Sequence, residues 1–548
     1  MNSSKNDEKQ ELSKEDAKED IASINGRLCS QMEPVEGEPK TKVVKLQTIQ
    51  EPQTIDLSLR QPYTQNEFAK NLQQEWFKES KEDFKDSATQ AAVYTDPFQI
   101  CLLPELLENK ESCKLLVKEM VEKVHWSRKQ MDLYEFYQST DLSNMIECKF
   151  LANFLQMLRR SVRPWLEKVT NLKLDYVSAS CSMYNCGDYL LVHDDLLKDR
   201  QIAFIYYLSP WENNEVWSDG QGGCLEIFSS DEKSLPQFPV KRKISPKNNQ
   251  FVIFKVGSKS FHQVGEVTTF DYPRLTINGW FHGASNDDLV ADALRPFNKL
   301  QFKPATEPTS DSIDHLLNEV YLKPTTKRSI QKRIEDNSEI CLYEFFRREI
   351  FEEALKQLLS DDSLKWSRQG PANAQNYEVL DIKTCSKTIE KLIQTFSNKQ
   401  MFSLLRDFTD LDLSGPNCSK PSFSLEVQRW YHGDYTVLGD GAICEDNTLD
   451  LIYYLNASEG AAVITYLSPD TDQAHSSQKH SSQSDTDSLE GEGFDDDDES
   501  VLLTITPVDN ALNIVYRCEG TTKFTKYVSR NTSLDKGPVF VISCSYKE

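Results

Sequence analysis

Several things are missing from this chain of 548 residues. Its thirteen cysteines are scattered and odd in number, with no Cys-x-x-Cys pair. That spacing excludes a disulfide framework and an ordinary structural zinc site, and it suits a reducing compartment. Met1 to Asp20 is polar and charged without an apolar signal-type segment, and no run of about 18 apolar residues occurs. Neither secretion nor a membrane association is expected, which leaves cytoplasm or nucleus; the short basic patch at Lys40, Lys42 and Lys45 does not choose between them. Positive charge is in deficit, with 62 basic residues against 86 acidic ones and a net of -24. Such a field repels phosphate backbones and attracts basic surfaces, so direct nucleic-acid binding is not expected and a basic protein partner is.

What is present is a duplication. Ile100-Cys101-Leu102 and Trp126-Ser127-Arg128 recur as Ile340-Cys341-Leu342 and Trp366-Ser367-Arg368. Gly187-Asp188-Tyr189 recurs as Gly433-Asp434-Tyr435, and Tyr206-Tyr207-Leu208-Ser209 as Tyr453-Tyr454-Leu455-Asn456. Ile244-Ser245-Pro246 and Gly257 to His262 are answered by Ile505-Thr506-Pro507 and Gly520 to Thr525. Matches in one order with small drifts in spacing indicate a repeated whole domain, since stacked short repeats recur at much shorter periods.

The length allows two or three domains with substantial cores. Residues 1–60 are rich in Glu, Lys, Ser and Gln and read as a disordered tail. Residues 61–290 read as one domain, 291–335 as a proline-containing connector with some helix, and 336–548 as a second domain. Leu102 to Leu107 followed by Leu115, Leu116, Met120 and Val121 reads as an amphipathic helix, and Phe150 to Leu158 as another. After Leu174 come short runs of Val, Ile, Phe and Tyr punctuated by Gly, Pro and Asn, the pattern of a β barrel or sandwich. The expected class is α+β, mainly β, with helices that precede and cover a β core. The stretch 469–500, ending in Asp495 to Glu499, reads as a disordered acidic loop between strands. Lengthening such a loop costs only about 0.6 kcal/mol per doubling. It offers a surface to a basic partner, or phosphate acceptors at Ser482 and Ser484, although a solvated loop suffices.

Chemistry concentrates in His193-Asp194-Asp195. On a strand, positions two apart share a face, so His193 and Asp195 point together and Asp194 points away. His262, between the apolar runs Phe251 to Phe254 and Leu275 to Trp280, is the best third ligand. Two histidines and one carboxylate on one face of a metal leave the opposite face open, the ligand set of non-heme iron(II) oxygenases. Zinc uses the same residue types, but the helical His-Glu-x-x-His spacing of zinc proteases is absent. Arg274 follows on the next β run, where a buried guanidinium needs an anionic partner and can receive a carboxylate with two nitrogens. Thr276 shares its face, and Tyr184 and Tyr207 add phenols. Taken singly, Arg274 also suits a structural salt bridge and the tyrosines ordinary core packing.

Taken together, Tyr184, His193-Asp194-Asp195, the Arg200 to Leu208 segment, Gly222-Gly223-Cys224-Leu225, Phe261-His262-Gln263-Val264, Arg274 and Gly279 to Gly283 resemble the 2-oxoglutarate and iron(II)-dependent dioxygenases. From about Asp96 onward the chain most resembles the eukaryotic ribosomal prolyl 3-hydroxylases. The resemblance implies two tandem double-stranded β-helix (jelly-roll or cupin-like) domains, the first catalytic and the second not. It implies that His193, Asp195 and His262 bind iron(II), and that Arg274, Tyr184, Tyr207 and Thr276 hold 2-oxoglutarate. Dioxygen would be the co-reactant and ascorbate the reductant. The substrate it implies is a proline of the small-subunit ribosomal protein at the decoding centre, with an effect on translation.

The second copy should be inert. Matching Gly187-Asp188-Tyr189 to Gly433-Asp434-Tyr435 sets Gly439 opposite His193 and Gly441 opposite Asp195, while Thr525 stands opposite His262 and Val539 opposite Arg274. His432 and Asp440 could substitute only if the register slipped, turning alternate side chains to the other face. Packing, substrate recruitment or partner binding remain as its roles. Two other readings stay open for the whole chain: oxidative demethylation of nucleic acid or lysine on the same iron centre, and a non-enzymatic interaction protein. His282 is placed either near the pocket mouth or on an exposed loop, and His125, His315, His475 and His480 have no ligand-like company.

Overall fold

The structure is a computed structural model that describes residues 57–79, 82–197, 199–211, 216–285, 300–307, 312–413, 420–438, 446–468 and 501–547. The expectations for most of the N-terminal tail, for the acidic loop with Ser482 and Ser484, and for His475 and His480 fall outside those residues.

The first half contributes β1 (Phe84–Lys85), β2 (Ala92–Tyr94), β3 (Ile100–Pro104), β4 (Ser127–Gln130), β5 (Tyr134–Asp141) and β6 (Leu174–Tyr184). There follow β7 (Tyr189–His193), β8 (Arg200–Tyr207), β9 (Leu225–Ser230), β10 (Pro236–Ile244), β11 (Gln250–Lys255), β12 (His262–Val264) and β13 (Arg274–Gly283). They hydrogen-bond in the order β1-β2-β3-β11-β8-β13-β6-β5-β7-β12-β9-β10, with β4 on β5. Strand alternation then divides the apolar side chains between two cores. Phe204, Tyr206, Phe251, Ile253, Leu275 and Ile277 face one way, against the helices Glu111–Lys123, Lys149–Met157 and Arg163–Thr170. Ala203, Ile205, Tyr207, Val252 and Phe254 face the other way and meet Leu225 and Ile227 of β9, forming a barrel interior. Each fully buried Leu, Val or Phe contributes roughly 1.5–3 kcal/mol, so both faces stabilise the sheet.

The second half repeats the plan with β14 (Lys303–Pro304), β15 (Glu339–Leu342), β16 (Trp366–Gln369), β17 (Gln375–Leu380), β18 (Ser422–Trp430) and β19 (Tyr435–Thr436). It continues with β20 (Thr448–Leu455), β21 (Ile464–Leu467), β22 (Val501–Ile505), β23 (Leu512–Arg517), β24 (Thr522–Thr525) and β25 (Val539–Lys547). Its main sheet, β15-β23-β20-β25-β18-β17-β16, reproduces β3-β11-β8-β13-β6-β5-β4, and its small sheet β22-β21-β24 reproduces β10-β9-β12. The chain is thus mainly β, two tandem double-stranded β-helices with supporting helices. Residues 303–304 pair with β18, and the helix Pro324–Asn337 buries Ile330 and Ile334 in the second core.

Two expectations are corrected. Leu102 to Leu107 does not join the helix; Ile100–Pro104 is β3, paired with β2 and β11, and the helix covers only Glu111–Lys123. A short apolar run buried on both faces carries no periodicity that separates strand from helix. The helices also do not simply precede the β core, because β1 to β5 come before the helix Lys149–Met157 and extend the same sheet.

The repeated Trp-Ser-Arg and Gly-Asp-Tyr motifs prove to be one device. Arg128 Nη1 on β4 reaches Asp188 Oδ1 at 2.8 Å in the turn between β6 and β7, and Arg368 pairs with Asp434 in the same place of the second half. Each aspartate also accepts a backbone N–H, from Asn185 or from Tyr431, at 2.8 Å. Gly187 (φ +93°) and Gly433 (φ +88°) supply the left-handed residue that each turn requires. Burial outweighs the arginine and pushes both carboxyls up to about 6. A carboxyl raised in the folded state gives a contribution to stability that is complete below the ordinary aspartate value and is lost as pH rises through about 6. The melting-temperature advantage of the wild-type chain over an Asp188→Asn, Asp434→Asn variant is therefore expected to be larger at pH 5 than at pH 7. An advantage that grows with pH would contradict this assignment.

Candidate metal centre

β7 and β12 pair so that His193 lies directly across from His262. The Nδ1 of His193 donates to the Leu191 carbonyl at 2.8 Å, and that of His262 to the Ser260 carbonyl at 2.7 Å. A proton held on Nδ1 leaves the Nε2 lone pair for a metal. Both Nε2 atoms face Asp195, at 3.6 Å from its Oδ1 for His193 and 3.5 Å from its Oδ2 for His262. Among the described residues these form the one group of three His, Cys, Asp or Glu whose ligand atoms lie within 4.8 Å of one another.

The route by which Asp195 arrives differs from the expectation. β7 ends at His193, and Asp195 lies beyond it with φ +62°. Its carboxylate is brought back by a left-handed residue, not by strand alternation. Aspartate tolerates that conformation better than most side chains, and such backbone strain clusters at functional sites. Burial pushes the Asp195 carboxyl up, but its neighbours His193, His262, Arg200 and the Trp280 indole together hold it below the ordinary value. It stands ready as an anion.

A second feature lies on β13. Arg274 opens the strand opposite Tyr184 of β6, only 1% exposed, with its guanidinium carbon 4.9 Å from the Tyr184 ring and 5.1 Å from the Tyr207 ring. Its Nε and Nη2 are buried and find no hydrogen-bond partner among the described residues. Desolvating a guanidinium without an anion costs several kcal/mol, so Arg274 is able to receive a carboxylate from outside the chain. Thr276 sits opposite Tyr207 on one side and Ser182 on the other, with its hydroxyl 3.3 Å from Asn278 Oδ1. Tyr184 is held by stacking on Phe136 at 4.7 Å, and burial raises its phenol and that of Tyr207. The Gly222-Gly223 pair explains how Arg274 fits: a Cβ on Gly223 would come within 3.1 Å of Arg274 Cδ, and one on Gly222 within 1.9 Å of the Glu266 carbonyl oxygen. The structure thus brings His193, Asp195 and His262 into one cluster, and sets Arg274, Tyr184, Tyr207 and Thr276 side by side on the adjoining strands β6, β13 and β8.

Two residues of the resembling segments, which sequence reasoning left without a role, meet here. Arg200 Nη1 lies 3.5 Å from Asp195 Oδ1, and its guanidinium stacks 3.4 Å over Trp280. Nothing in their types or spacing announces this. His282 is not an exposed loop residue; it is buried on β13, its Nε2 2.7 Å from the Ser178 hydroxyl, its Nδ1 3.1 Å from Asp199, and its ring stacked on Tyr176 at 4.2 Å.

Comparison with known proteins gives a family to this geometry. Residues 179–282 match the 2OG-Fe(II) oxygenase superfamily, and 309–548 match the family described as oxoglutarate and iron-dependent oxygenase degradation C-term. Prolyl 3-hydroxylase sudestada1 of Drosophila melanogaster is 65% identical over 514 residues, 93% of this chain and 94% of the relative. The chain belongs to the prolyl 3-hydroxylase family. More distant members of that family are prolyl 3-hydroxylase OGFOD1 of Mus musculus, 27% identical over 82% of this chain and 87% of its own, and prolyl 3,4-dihydroxylase OGFOD1 of Ostreococcus tauri, 25% identical over 84% and 97%. As a 2-oxoglutarate and iron(II)-dependent oxygenase, a prolyl 3-hydroxylase uses iron(II), 2-oxoglutarate and dioxygen. The donor set fits: two neutral imidazoles and a carboxylate for iron, and the unsatisfied Arg274 nitrogens for a carboxylate of 2-oxoglutarate.

Among the described residues the second barrel shows no such cluster, though not quite as the sequence matching implied. Val528 N donates to Asp434 O and Gly433 N to Val528 O, just as Val267 and Gly187 bond around Asp188. Val267 and Val528 are therefore equivalent, and counting back along the strands sets Lys523, not Thr525, opposite His262. Lys523 Nζ lies 2.6 Å from Asp450 Oδ2, a fully buried carboxylate that also accepts from Ser545 at 2.6 Å and Tyr466 at 3.1 Å. An ammonium carried by the chain holds the place of a metal-binding imidazole. Val539 pairs with Trp430, as Arg274 does with Tyr184, and joins Trp430, Tyr454 and Val541 in an apolar interior. Gly439, Asp440 and Gly441 lie outside the described residues, and His432 is exposed.

Anaerobic titration of the full chain is expected to give one iron(II) per molecule, falling to none in Asp195→Ala; two equivalents, or retention in the variant, would refute the placement. Arg274→Ala should keep the iron and weaken 2-oxoglutarate about a hundredfold or more, from loss of roughly 3 kcal/mol of buried ion pairing. Calorimetry with iron present reads both constants.

Proposed function

We propose that this chain hydroxylates C3 of a prolyl residue in a basic protein, a small-subunit ribosomal protein of the decoding centre, and thereby acts on translation. The reading rests on one observation: the His193, Asp195, His262 cluster beside an anion-seeking Arg274, in a chain 65% identical to a protein named prolyl 3-hydroxylase. The net charge of -24 supports a basic substrate, and it disfavours demethylation of a nucleic acid on the same centre. Ascorbate as reductant and a cytoplasmic or nuclear setting belong to the same proposal.

Iron(II) with 2-oxoglutarate and dioxygen supplies the oxidation, in which one oxygen atom enters the prolyl C–H bond, the other enters succinate, and carbon dioxide leaves. The chain's residues arrange it. His193 and His262, each with its Nδ1 proton on a backbone carbonyl, present unprotonated Nε2 atoms, and Asp195 adds one negative charge. Arg274 would neutralise a carboxylate of the cosubstrate, with Tyr184, Tyr207 and Thr276 beside it on the same strands. Arg200, clamped between Trp280 and Asp195, fixes the orientation of the ligand carboxylate. Further along β6, Tyr176 is half exposed and stacked on His282.

Incubation of the chain with small-subunit ribosomal proteins, iron(II) and 2-oxoglutarate should add one oxygen atom to a single proline, identified as the 3-hydroxy isomer on hydrolysis, with equimolar succinate. The KM for the protein substrate should rise with salt, as expected for opposite charges. His193→Ala should abolish the modification. Succinate formed without any modified proline, or activity on a methylated oligonucleotide instead, would overturn the substrate assignment.

A further inference from the structure

The carboxylate of Glu266 lies in the segment that leaves β12, shortly after His262, and is 7% exposed. Among the described residues, its hydrogen-bond donors all come from the second half of the chain. Ser529 Oγ donates to Oε1 at 2.5 Å, Tyr527 OH to Oε2 at 3.2 Å, and the Arg530 backbone N–H to both oxygens at 2.9 and 3.1 Å. The backbone of this segment is equally committed, but to the first barrel. The Glu266 carbonyl accepts from Gly223 N, the residue pressed against Arg274 Cδ. Val267 bonds through N and O to Asp188 and Gly187, in the turn that launches β7 toward His193. Glu266 is thus the point at which the second barrel grips the strand bearing one metal ligand, the turn leading to another and the glycine behind the 2-oxoglutarate arginine.

Independent contacts act on the same strands. Ala372 of the second half packs in one buried cluster with Val192 and Phe261, the residues immediately before His193 and His262. The Tyr527 ring lies 4.2 Å from that of Tyr189 on β7, and Asn531 Oδ1 accepts from Cys186 Sγ at 3.4 Å beside the Gly187 turn. Lys526 reaches Glu135 at 3.1 Å, and Leu438 N donates to Asp132 at 2.6 Å, on either side of the β5 entry.

We infer that the degenerate barrel is a positioning body for the catalytic one, and that Glu266 with Tyr527, Ser529 and Arg530 is the latch that sets iron(II) and 2-oxoglutarate affinity in the first barrel. This rests on the iron and 2-oxoglutarate reading of the first barrel and adds residues from the second, none of which touches either group. An acceptor buried against another body's donors transmits position because it has one satisfied arrangement; a loosened one lets β12 and the Asp188 turn drift, and metal ligands held by neighbours outside the ligand set are sensitive to such drift.

The test uses the full chain, comparing wild type with Glu266→Ala, Glu266→Gln and the pair Tyr527→Phe, Ser529→Ala. Three quantities are read: the iron(II) dissociation constant under anaerobic conditions, hydrogen exchange over residues 261–267 without metal, and KM for 2-oxoglutarate against kcat. Expected are iron affinity about tenfold weaker or more in Glu266→Ala and in the pair, faster exchange over residues 261–267, and a KM that rises more than kcat falls. Glu266→Gln, which keeps one acceptor oxygen, should recover part of each. If the variants melt cooperatively like wild type and keep wild-type iron affinity and exchange, the latch is refuted. Should Glu266→Ala not fold, the Tyr527, Ser529 pair decides by the same readings, since it leaves the carboxylate and the Tyr527 ring in place. Iron binding and exchange need no peptide, so their outcome is separate from whether proline is the substrate.

Discussion

The antiparallel pairing of β7 with β12 is the constraint on which the centre is built. It fixes two imidazoles across from each other at a ring separation of 4.2 Å, and backbone carbonyls on the same two strands hold the protons that would otherwise block coordination. Everything else serves that pairing. The Arg128 to Asp188 bridge shapes the turn before β7, Gly222 and Gly223 admit the segment after β12, and the left-handed Asp195 closes the triangle. Each is a local peculiarity that the surrounding sheet over-determines, which is how a folded chain sustains strained residues at a working site.

The two barrels separate what the fold needs from what the chemistry needs. The arginine-aspartate turn, the strand order and the two-faced distribution of apolar residues persist in both halves. What changes is the barrel interior: where the first half keeps a guanidinium with unsatisfied nitrogens, the second fills the equivalent space with Trp430, Val539 and Val541. At the arginine's place the interior becomes apolar, and the charge that the second barrel does bury, Lys523 against Asp450, is paired, as the cost of burying unpaired charge requires.

Much of this was legible in the sequence because the chemistry needs rare residue types in fixed order. His193, Asp195, His262 and Arg274 stand out by type, and the repeated Trp-Ser-Arg and Gly-Asp-Tyr motifs survive because each is one half of an ion-paired turn. The rest was hidden for physical reasons. Arg200 and Trp280 have ordinary types and meet only when β8 and β13 are paired. β3 is buried on both faces, so it shows no alternation. Phe524 matched Phe261 by letter, whereas the hydrogen bonds around Val267 and Val528 set the true register two residues away. The grip of the second half on Glu266 joins positions more than two hundred residues apart, which no local pattern encodes.

Lys523 gives the two barrels different dependence on the surroundings. A metal is borrowed: its occupancy follows the supply of free iron and is removed by a chelator or by oxidation. The ammonium of Lys523 is covalently owned, so the charge balance around Asp450 is the same in iron-rich and iron-starved conditions. The molecule therefore pairs a half whose internal charge varies with nutrient supply with a half whose internal charge does not, and the second remains a fixed frame while the first is loaded and emptied.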